Sequence, residues 1–339
     1  MIRYPFLQNK AAIGVTAPSS GVRMKLHPIV KQACQRLEQR GFTVKCGETV
    51  WTQHKARSAS AEERAAELKQ MLQDESIDLL IPPWGGELLI EILEYIDFEQ
   101  PPNKWILGYS DISLLLLAIT LTSGMATAHG TNLLDLRGEY SDETTAMWEK
   151  VLATKAGESV VQYSSSKYQK EWQHDRPSPC VYHLTEQTIW KTISYPPNTM
   201  IKGRLLGGCI DVIRHLIGTP YGDVQRFREQ FLAGDPLVWY LENCELSTVD
   251  LRRSLIQMKL AGWFEGSAGI LFGRSSANQA VENYTVEDVY QELANELDIP
   301  IIYDIDCGHV PPQITFINGA YAEVRIENGQ GMIQQHFLP

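Results

Sequence analysis

The sequence lacks the segments that carry a protein into or across a membrane. Its first residues, MIRYPFLQNKAAIGVTAP, contain no long apolar run behind basic residues, and no later stretch reaches about 18 uncharged apolar residues. We therefore expect neither secretion nor membrane insertion, and we expect a cytoplasmic location.

Clusters of basic residues are also absent. The chain of 339 residues has 30 Lys and Arg against 41 Asp and Glu, which gives a formal charge of −11. Binding to a nucleic-acid polymer needs a clustered basic surface that neutralises phosphates, so this charge argues against such a partner. Small anionic ligands remain compatible with it.

The sequence has no cysteine or histidine pair at metal-binding spacing. The eight histidines include no H-E-x-x-H motif, so a metal site would have to be assembled from distant segments. We expect no metal and no cofactor. A chain of this length needs no disulfide staples, and free thiols are expected because no C-x-x-C pair occurs among the six cysteines, which are Cys34, Cys46, Cys180, Cys209, Cys244 and Cys307.

What the first 130 residues do contain is a repeated alternation of strand-like and helix-like segments. Repeated βα units predict a parallel sheet with helices on both faces. Ligands of such sheets bind beyond the carboxyl ends of the strands. Four turns follow strands and should lie along that edge: TAPSSG (16–21), PPWGGE (82–87), GYSD (108–111) and AHGTN (128–132).

The remainder of the chain differs in character, and its length exceeds that of one usual core. Residues 140 to 200 are polar and proline-bearing without a clear period, which is typical of a connector or a long surface loop. Short strands separated by glycine turns then predict a mixed, β-rich region. We predict an α/β domain over residues 1–160, a connector and substrate loop over 161–200, and a β-rich domain over 201–339.

Ser110 lies between the apolar run Trp105-Ile106-Leu107 and a second apolar run, Ile112 to Ile119, typical of a helix. Two interpretations compete. The serine is either a helix N-cap or a nucleophile held on a sharp turn between a strand and a helix. A serine nucleophile needs a base and a group that orients that base.

Two histidines are candidate bases, because each stands beside a glycine at the end of a strand. His129 lies in AHGTN and His309 in CGHVPP, and the residues alone do not choose between them. Glu242 ends the apolar strand LVWYLE, where it could orient the base. It could equally be an acid at a helix N-terminus, as could Glu245.

Several short motifs together resemble a known family. TAPSSG, PPWGGE, GYSDI, HGTN, GRLLGG, LVWYLENCE, LRRSL, GILFGR and CGHVPP are similar, in this order and spacing, to the serine peptidases that include the LD-carboxypeptidases and the microcin C self-immunity peptidases. The resemblance covers nearly the whole chain. It implies a flavodoxin-like N-terminal domain, a β-rich C-terminal domain with the site between them, and a homodimer.

The resemblance also implies a catalytic triad. Ser110 would attack, His309 would take and return the proton, and Glu242 would orient the imidazole and stabilise its charged form. His129 then has a structural role. The Gly85-Gly86 turn, above all the Gly86 amide, and the amide of Asp111 are the expected oxyanion donors, since glycine lets backbone N–H groups approach a developing charge.

Substrate binding is the least determined part. The long segment with Trp172 and Trp190 resembles the immunity peptidases, which stack an aromatic residue on a nucleobase and cut an aminoacyl-nucleotide amide, and Trp172 is the candidate for that position. Packing of the loop is the other interpretation of both tryptophans. Arg253 and Lys202 are candidates for binding a carboxylate or phosphate. Murein tetrapeptide cleavage and a non-enzymatic small-molecule binding protein are the alternatives.

Overall fold

The computed structural model describes residues 1–171, 178–193 and 195–338. Over these residues it has sixteen strands in three sheets and nine α-helices. The strands are β1 (Ala12–Val15), β2 (Thr43–Cys46), β3 (Leu79–Ile81), β4 (Trp105–Gly108), β5 (Thr127–His129), β6 (Ser159–Tyr163), β7 (Lys167–Tyr168), β8 (Glu186–Gln187), β9 (Lys191–Ile193), β10 (Thr199–Cys209), β11 (Leu237–Glu242), β12 (Ser267–Gly273), β13 (Ile301–Ile305), β14 (Phe316–Asn318), β15 (Tyr321–Glu327) and β16 (Gln330–His336). The helices are α1 (His27–Gln39), α2 (Ala61–Gln73), α3 (Ile112–Ser123), α4 (Glu143–Ala146), α5 (Trp148–Leu152), α6 (Ile210–Ile213), α7 (Val224–Phe231), α8 (Thr248–Leu260) and α9 (Val286–Leu297).

The N-terminal sheet has the strand order β14-β5-β4-β3-β1-β2. Strands β1 to β5 are parallel, and β14 adds one antiparallel edge strand. The order 2-1-3-4-5 is the flavodoxin-like arrangement, in which ligands bind where the strand order reverses. The predicted fold class is confirmed.

The second sheet is mixed and has the order β6-β16-β15-β10-β11-β12-β13-β9. Strands β10 to β13 are parallel, whereas β15, β16, β6 and β9 pair antiparallel. Strands β6 and β9 lie in or next to the segment interpreted as a connector. They form the two edges of this sheet, and edge strands are short and polar, so no apolar period marks them in the sequence.

Helix α3, which follows Ser110, is apolar on all sides and nearly every residue in it is buried. A helix of this kind must be covered all round. It contacts β5 of the first sheet and β10 of the second, so it lies between the two sheets. The turn at its N-terminus is therefore brought next to the C-terminal ends of both sets of parallel strands.

Strand pairing crosses the proposed domain boundaries. β14 belongs to the C-terminal third of the sequence but pairs with β5. In it, Asn318 donates to the Thr127 hydroxyl and accepts from the Gly207 amide and the Tyr240 hydroxyl, at 2.7 to 3.2 Å. The boundaries at 160 and 200 stay a prediction.

Local signals agree with the helix ends, with one exception. Ser60 begins α2 in a capping box with Glu63, and Gly124 ends α3 in the left-handed conformation at φ +67°. The exception is ELLIEILEYI, one of the helix-like segments of the first 130 residues, which forms a 3-10 helix over Leu89–Tyr95 and not an α-helix. The Leu89 amide, at the start of this segment, donates to the Asp111 carboxylate, and Arg64 donates to Glu91. These two contacts with residues outside the segment hold it in place. Among the described residues, no helix has the length and apolarity needed to span a membrane.

Candidate active site

Ser110 occupies a strained turn between β4 and α3. Its φ is +65°, in the left-handed region that a residue with a Cβ rarely adopts. Its hydroxyl does not cap the helix. Instead, Ser110 Oγ lies 3.0 Å from His309 Nε2, a residue 199 positions away. The geometry therefore favours the exposed-hydroxyl interpretation over the N-cap.

Gly85 packs directly against this turn. A Cβ at Gly85 would lie 2.5 Å from both Cβ and Oγ of Ser110 and 3.0 Å from the Asp111 amide nitrogen, so no side chain fits here. Within the described part of the chain, neither the Gly86 amide nor the Asp111 amide donates to a protein acceptor. An oxyanion site requires amide donors that are not engaged elsewhere, so both amides stay candidates for that role.

Buried polar contacts fix the turns around Ser110. The Asp111 carboxylate accepts from the Ser19 hydroxyl at 2.5 Å and from the Leu89 amide at 2.9 Å. Burial raises the pKa of Asp111, although these bonds and the charge of Arg64 oppose the rise. Arg64 is fully buried and donates 2.9 Å bonds to the carbonyls of Pro18 and Leu88, which join two of the predicted site turns.

Glu242 and His309 reach the site from the second sheet. Glu242 ends β11 and is fully buried, and its Oε2 lies 2.8 Å from His309 Nδ1. A carboxylate can only accept, so Nδ1–H donates to it, and Nε2 is left to accept from the Ser110 hydroxyl. The structure thus brings all three residues into one hydrogen-bonded chain, in the order serine, histidine, glutamate.

The electrostatics of this pair stabilise the charged forms of both side chains. Burial is the largest influence on the pKa of Glu242 and would raise it, but the charge and hydrogen bond of His309, together with His129 and Cys209, hold that pKa below its usual range. Burial would lower the pKa of His309, but the Glu242 carboxylate and a hydrogen bond with Cys244 raise it well above its ordinary value of 6.5. The imidazolium that forms when His309 takes a proton is thereby stabilised.

A buried network anchors the loop that carries His309. Asp306, three residues earlier, is fully buried and accepts from Arg274 Nη2 at 2.6 Å, from the Trp190 indole at 3.0 Å, and from both the amide and the hydroxyl of Ser165. Trp190 is itself buried in these contacts. This supports the packing interpretation of Trp190 and ties the 160–190 segment to the His309 loop.

His129 is placed differently from His309. It is fully buried between the rings of Tyr109 and Tyr240, whose centroids are 6.4 and 5.3 Å away. Burial lowers its pKa to about 4, so it stays neutral. Neither ring nitrogen has a hydrogen-bond partner among the described residues. These surroundings fit a structural role rather than that of the base.

Two cysteines at the site were missed from the sequence. Cys209 ends β10 directly opposite Glu242, because the parallel register pairs these two residues. Cys209 Sγ, a Glu242 carboxylate oxygen and a His309 ring nitrogen lie within 4.8 Å of one another, and over the described ranges this is the one such group that could hold a metal ion. Cys244, two residues after Glu242 in the sequence, hydrogen-bonds with His309. The register of β10 against β11 is what brings Cys209 to the site.

The three candidate substrate residues have different outcomes. Trp172 lies outside the described residues. Lys202 pairs with Glu323 on the neighbouring strand at 3.0 Å, and Arg253, which is 75% exposed, pairs with Asp250 at 2.9 Å. Each of these two cations therefore already forms an ion pair with a neighbouring carboxylate. A role for them in substrate binding stays a prediction.

Comparison with protein families gives two matches that together cover more than half of the chain. Residues 13–130 match the family described as the LD-carboxypeptidase N-terminal domain, and residues 202–324 match the LD-carboxypeptidase C-terminal domain. The first range holds Ser110, and the second holds Glu242 and His309.

Individual relatives are similar over nearly their whole lengths. The Microcin C7 self-immunity protein MccF of Escherichia coli is 23% identical over 89% of this chain and 87% of its own. The "Probable murein peptide carboxypeptidase" of Bacillus subtilis is 24% identical over 95% of this chain and 91% of its own. A solved structure of MccF in complex with glutamyl sulfamoyl guanosine superposes with a TM-score of 0.83 over 100% of both chains at 19% identity, a likeness that shows the fold.

Proposed function

The chain belongs to the LD-carboxypeptidase family, and on that premise we propose that Ser110, His309 and Glu242 are the catalytic triad of a serine carboxypeptidase. In this proposal the enzyme hydrolyses an amide bond of a small peptidyl or aminoacyl conjugate. The observation that supports it is the chain of hydrogen bonds of 3.0 Å and 2.8 Å that links the serine hydroxyl to the imidazole and the imidazole to a buried carboxylate.

In this proposal each residue has its own step. Ser110 Oγ attacks the carbonyl carbon while His309 Nε2 takes the hydroxyl proton, and Glu242 stabilises the imidazolium. The tetrahedral oxyanion is met by the amides of Gly86 and Asp111. His309 then gives the proton to the leaving nitrogen, an acyl-serine forms, and water activated by the same histidine hydrolyses it.

A serine-directed fluorophosphonate probe tests the reaction class. We expect one adduct on Ser110, found by mass spectrometry of the digested protein, and no adduct in a His309→Ala variant, because the hydroxyl then lacks its base. A folded protein that gives no adduct while binding a small ligand would instead be the non-enzymatic binding protein.

For the substrate we propose an aminoacyl-nucleotide conjugate of the microcin C kind, which would make the protein a resistance factor. The support is the long 161–200 segment and the similarity to MccF, whose structure was solved with glutamyl sulfamoyl guanosine. The second candidate is a murein tetrapeptide ending in D-alanine, supported by the similarity to the Bacillus subtilis protein.

Competing substrates separate the two candidates. We expect higher kcat/KM for an aminoacyl-sulfamoyl adenosine than for the tetrapeptide. Trp172→Ala should weaken the nucleotide substrate alone, by roughly 5- to 150-fold, the worth of one lost stacking contact of about 1 to 3 kcal/mol. A small ester serves as the control that needs only the triad. Preference for the tetrapeptide, with Trp172→Ala silent, would place the enzyme in murein recycling.

A further inference from the structure

We propose that Cys209, Glu242 and His309 form an inhibitory site for a zinc ion, which binds in place of the proton shared by the glutamate and the histidine. The three donor atoms, a thiol sulfur, a carboxylate oxygen and a ring nitrogen, lie within 4.8 Å of one another. They come from the ends of β10 and β11 and from the loop after β13, so the fold itself assembles them.

The donor set matches the preferences of zinc. Zn²⁺ is bound by thiolate, imidazole and carboxylate at about 2.0 to 2.3 Å in tetrahedral sites, whereas Mg²⁺ and Ca²⁺ take oxygen ligands. Glu242 Oε1 is buried and has no hydrogen-bond partner within the described chain, so a metal ion would give this oxygen a partner.

The ion and the proton compete for one position. His309 Nδ1 and Glu242 Oε2 are 2.8 Å apart with a proton between them, and two zinc ligands in a tetrahedron stand somewhat further apart, at about 3.3 Å. Binding therefore needs a small separation of the pair and the closer approach of Cys209 Sγ. The protons of Nδ1 and of the thiol pass to solvent, new Zn–N, Zn–S and Zn–O bonds form, and no group is oxidised or reduced.

Zinc at this position would stop proton transfer. An imidazole coordinated through Nδ1 is a weaker base at Nε2, and the carboxylate that stabilises the imidazolium is engaged by the ion. The His309 side chain is 25% exposed, so an ion can reach it from solvent, although Glu242 is fully buried and Cys209 nearly so. The same residues thus serve catalysis without metal and inhibition with it.

Cobalt spectroscopy tests binding without any assay of activity. The protein should carry Cys34→Ser and Cys46→Ser, because these two thiols lie 3.6 Å apart and could bind cobalt themselves. In this background we expect a thiolate-to-Co²⁺ charge-transfer band that Zn²⁺ abolishes on addition. Cys209→Ser should remove the band or weaken Co²⁺ binding by at least about tenfold. The matched control, Cys180→Ser, should leave it unchanged.

The expectation that zinc inhibits the enzyme rests on the proposed function, whereas the expected cobalt spectrum does not depend on it. With any substrate that is turned over, we expect Zn²⁺ but not Mg²⁺ to inhibit, a chelator to restore the rate, and Cys209→Ser to need at least tenfold more zinc relative to its own zinc-free rate. If the protein shows the cobalt band but turns over no substrate, the serine carboxypeptidase proposal is wrong and the metal site is still supported. No band, or a band that Cys209→Ser does not change, would overturn the zinc site.

Discussion

The two halves of the proposed active site are built by different means. On the side of the first sheet, Ser110 is held by backbone geometry, with a left-handed φ and with Gly85 against its hydroxyl. On the side of the second sheet, Glu242 and His309 form a hydrogen-bonded pair next to the Cys209 thiol, and their proposed roles depend on charge. Substitutions in the first half should therefore lower the rate by displacing Ser110 or the amides near it. Substitutions in the second half should change the pH dependence of the rate.

The largest effect should come from removing either end of the hydrogen-bonded chain. Ser110→Ala and His309→Ala should each lower kcat/KM on the order of 10³-fold or more, because a triad acts as a unit and the loss of either residue removes covalent catalysis. Both variants should keep the wild-type circular dichroism spectrum. His129→Ala is the comparison. A loss as large as that of Ser110→Ala, with His309→Ala nearly silent, would mean that His129 is the base.

Glu242→Gln tests the half that acts through charge. His309 must be neutral to accept a proton, and Glu242 raises its pKa, so kcat/KM of the wild type should fall as the pH drops through a value above 6.5. Without the carboxylate, burial dominates and lowers the pKa of His309. The variant should lose at least about 10²-fold in rate, and its acid limb should move to lower pH. An acid limb that stays in place would show that Glu242 does not set this pKa.

Gly85→Ala tests the half that acts through space. The added methyl group meets Ser110 and the Asp111 amide at 2.5 to 3.0 Å, so we expect kcat to fall about 10²-fold with an unshifted pH profile. The control is Gly157→Ala, where a Cβ has nothing within 4 Å. It should cost only about 1 to 2 kcal/mol of stability, since its φ is +88°. A shifted acid limb in Gly85→Ala would break the division between the two halves.

The smallest effect is expected outside both halves. Arg253→Ala should change kcat/KM less than twofold and stability by less than about 0.5 kcal/mol, because its partner Asp250 is a surface carboxylate. Lys202→Ala, which breaks the pair with Glu323 on the second sheet, should have an equally small effect. A KM that rises tenfold for an anionic substrate but not for a neutral ester would instead make Arg253 a substrate ligand.

The sequence predicts most where burial determines the residues. Runs such as Trp105-Ile106-Leu107 are apolar because they are central strands, and the helix after Ser110 is recognisable for the same reason. The edge strands β6 and β9 carry no such mark. The order of strands, and with it the pairing of Cys209 with Glu242, depends on contacts between distant segments that no local pattern records.

The features of the candidate site also differ in how far the sequence predicts them. Local pattern places Ser110 on a turn and leaves its role open, and it cannot choose between His129 and His309, since both stand beside a glycine after a strand. The choice depends on which imidazole reaches the serine across 199 positions of sequence, a tertiary fact. Family resemblance predicted the three residues that the structure brings together. It gave no sign of Arg64 or Asp306, whose contacts hold the site turns and the His309 loop.

The crossing of β14 into the first sheet has a consequence for how the protein folds. Strand β14 closes the edge beside β5, and the Asn318 side chain on it hydrogen-bonds to residues of both sheets, so the N-terminal half cannot complete its sheet alone. An N-terminal fragment would expose β5 as a bare edge prone to aggregation. The two halves should therefore unfold in one cooperative transition, and separately produced pieces should become stable only when mixed. Assembly of Ser110 with His309 would then be a late event in folding, completed when the segment that carries His309 and β14 docks.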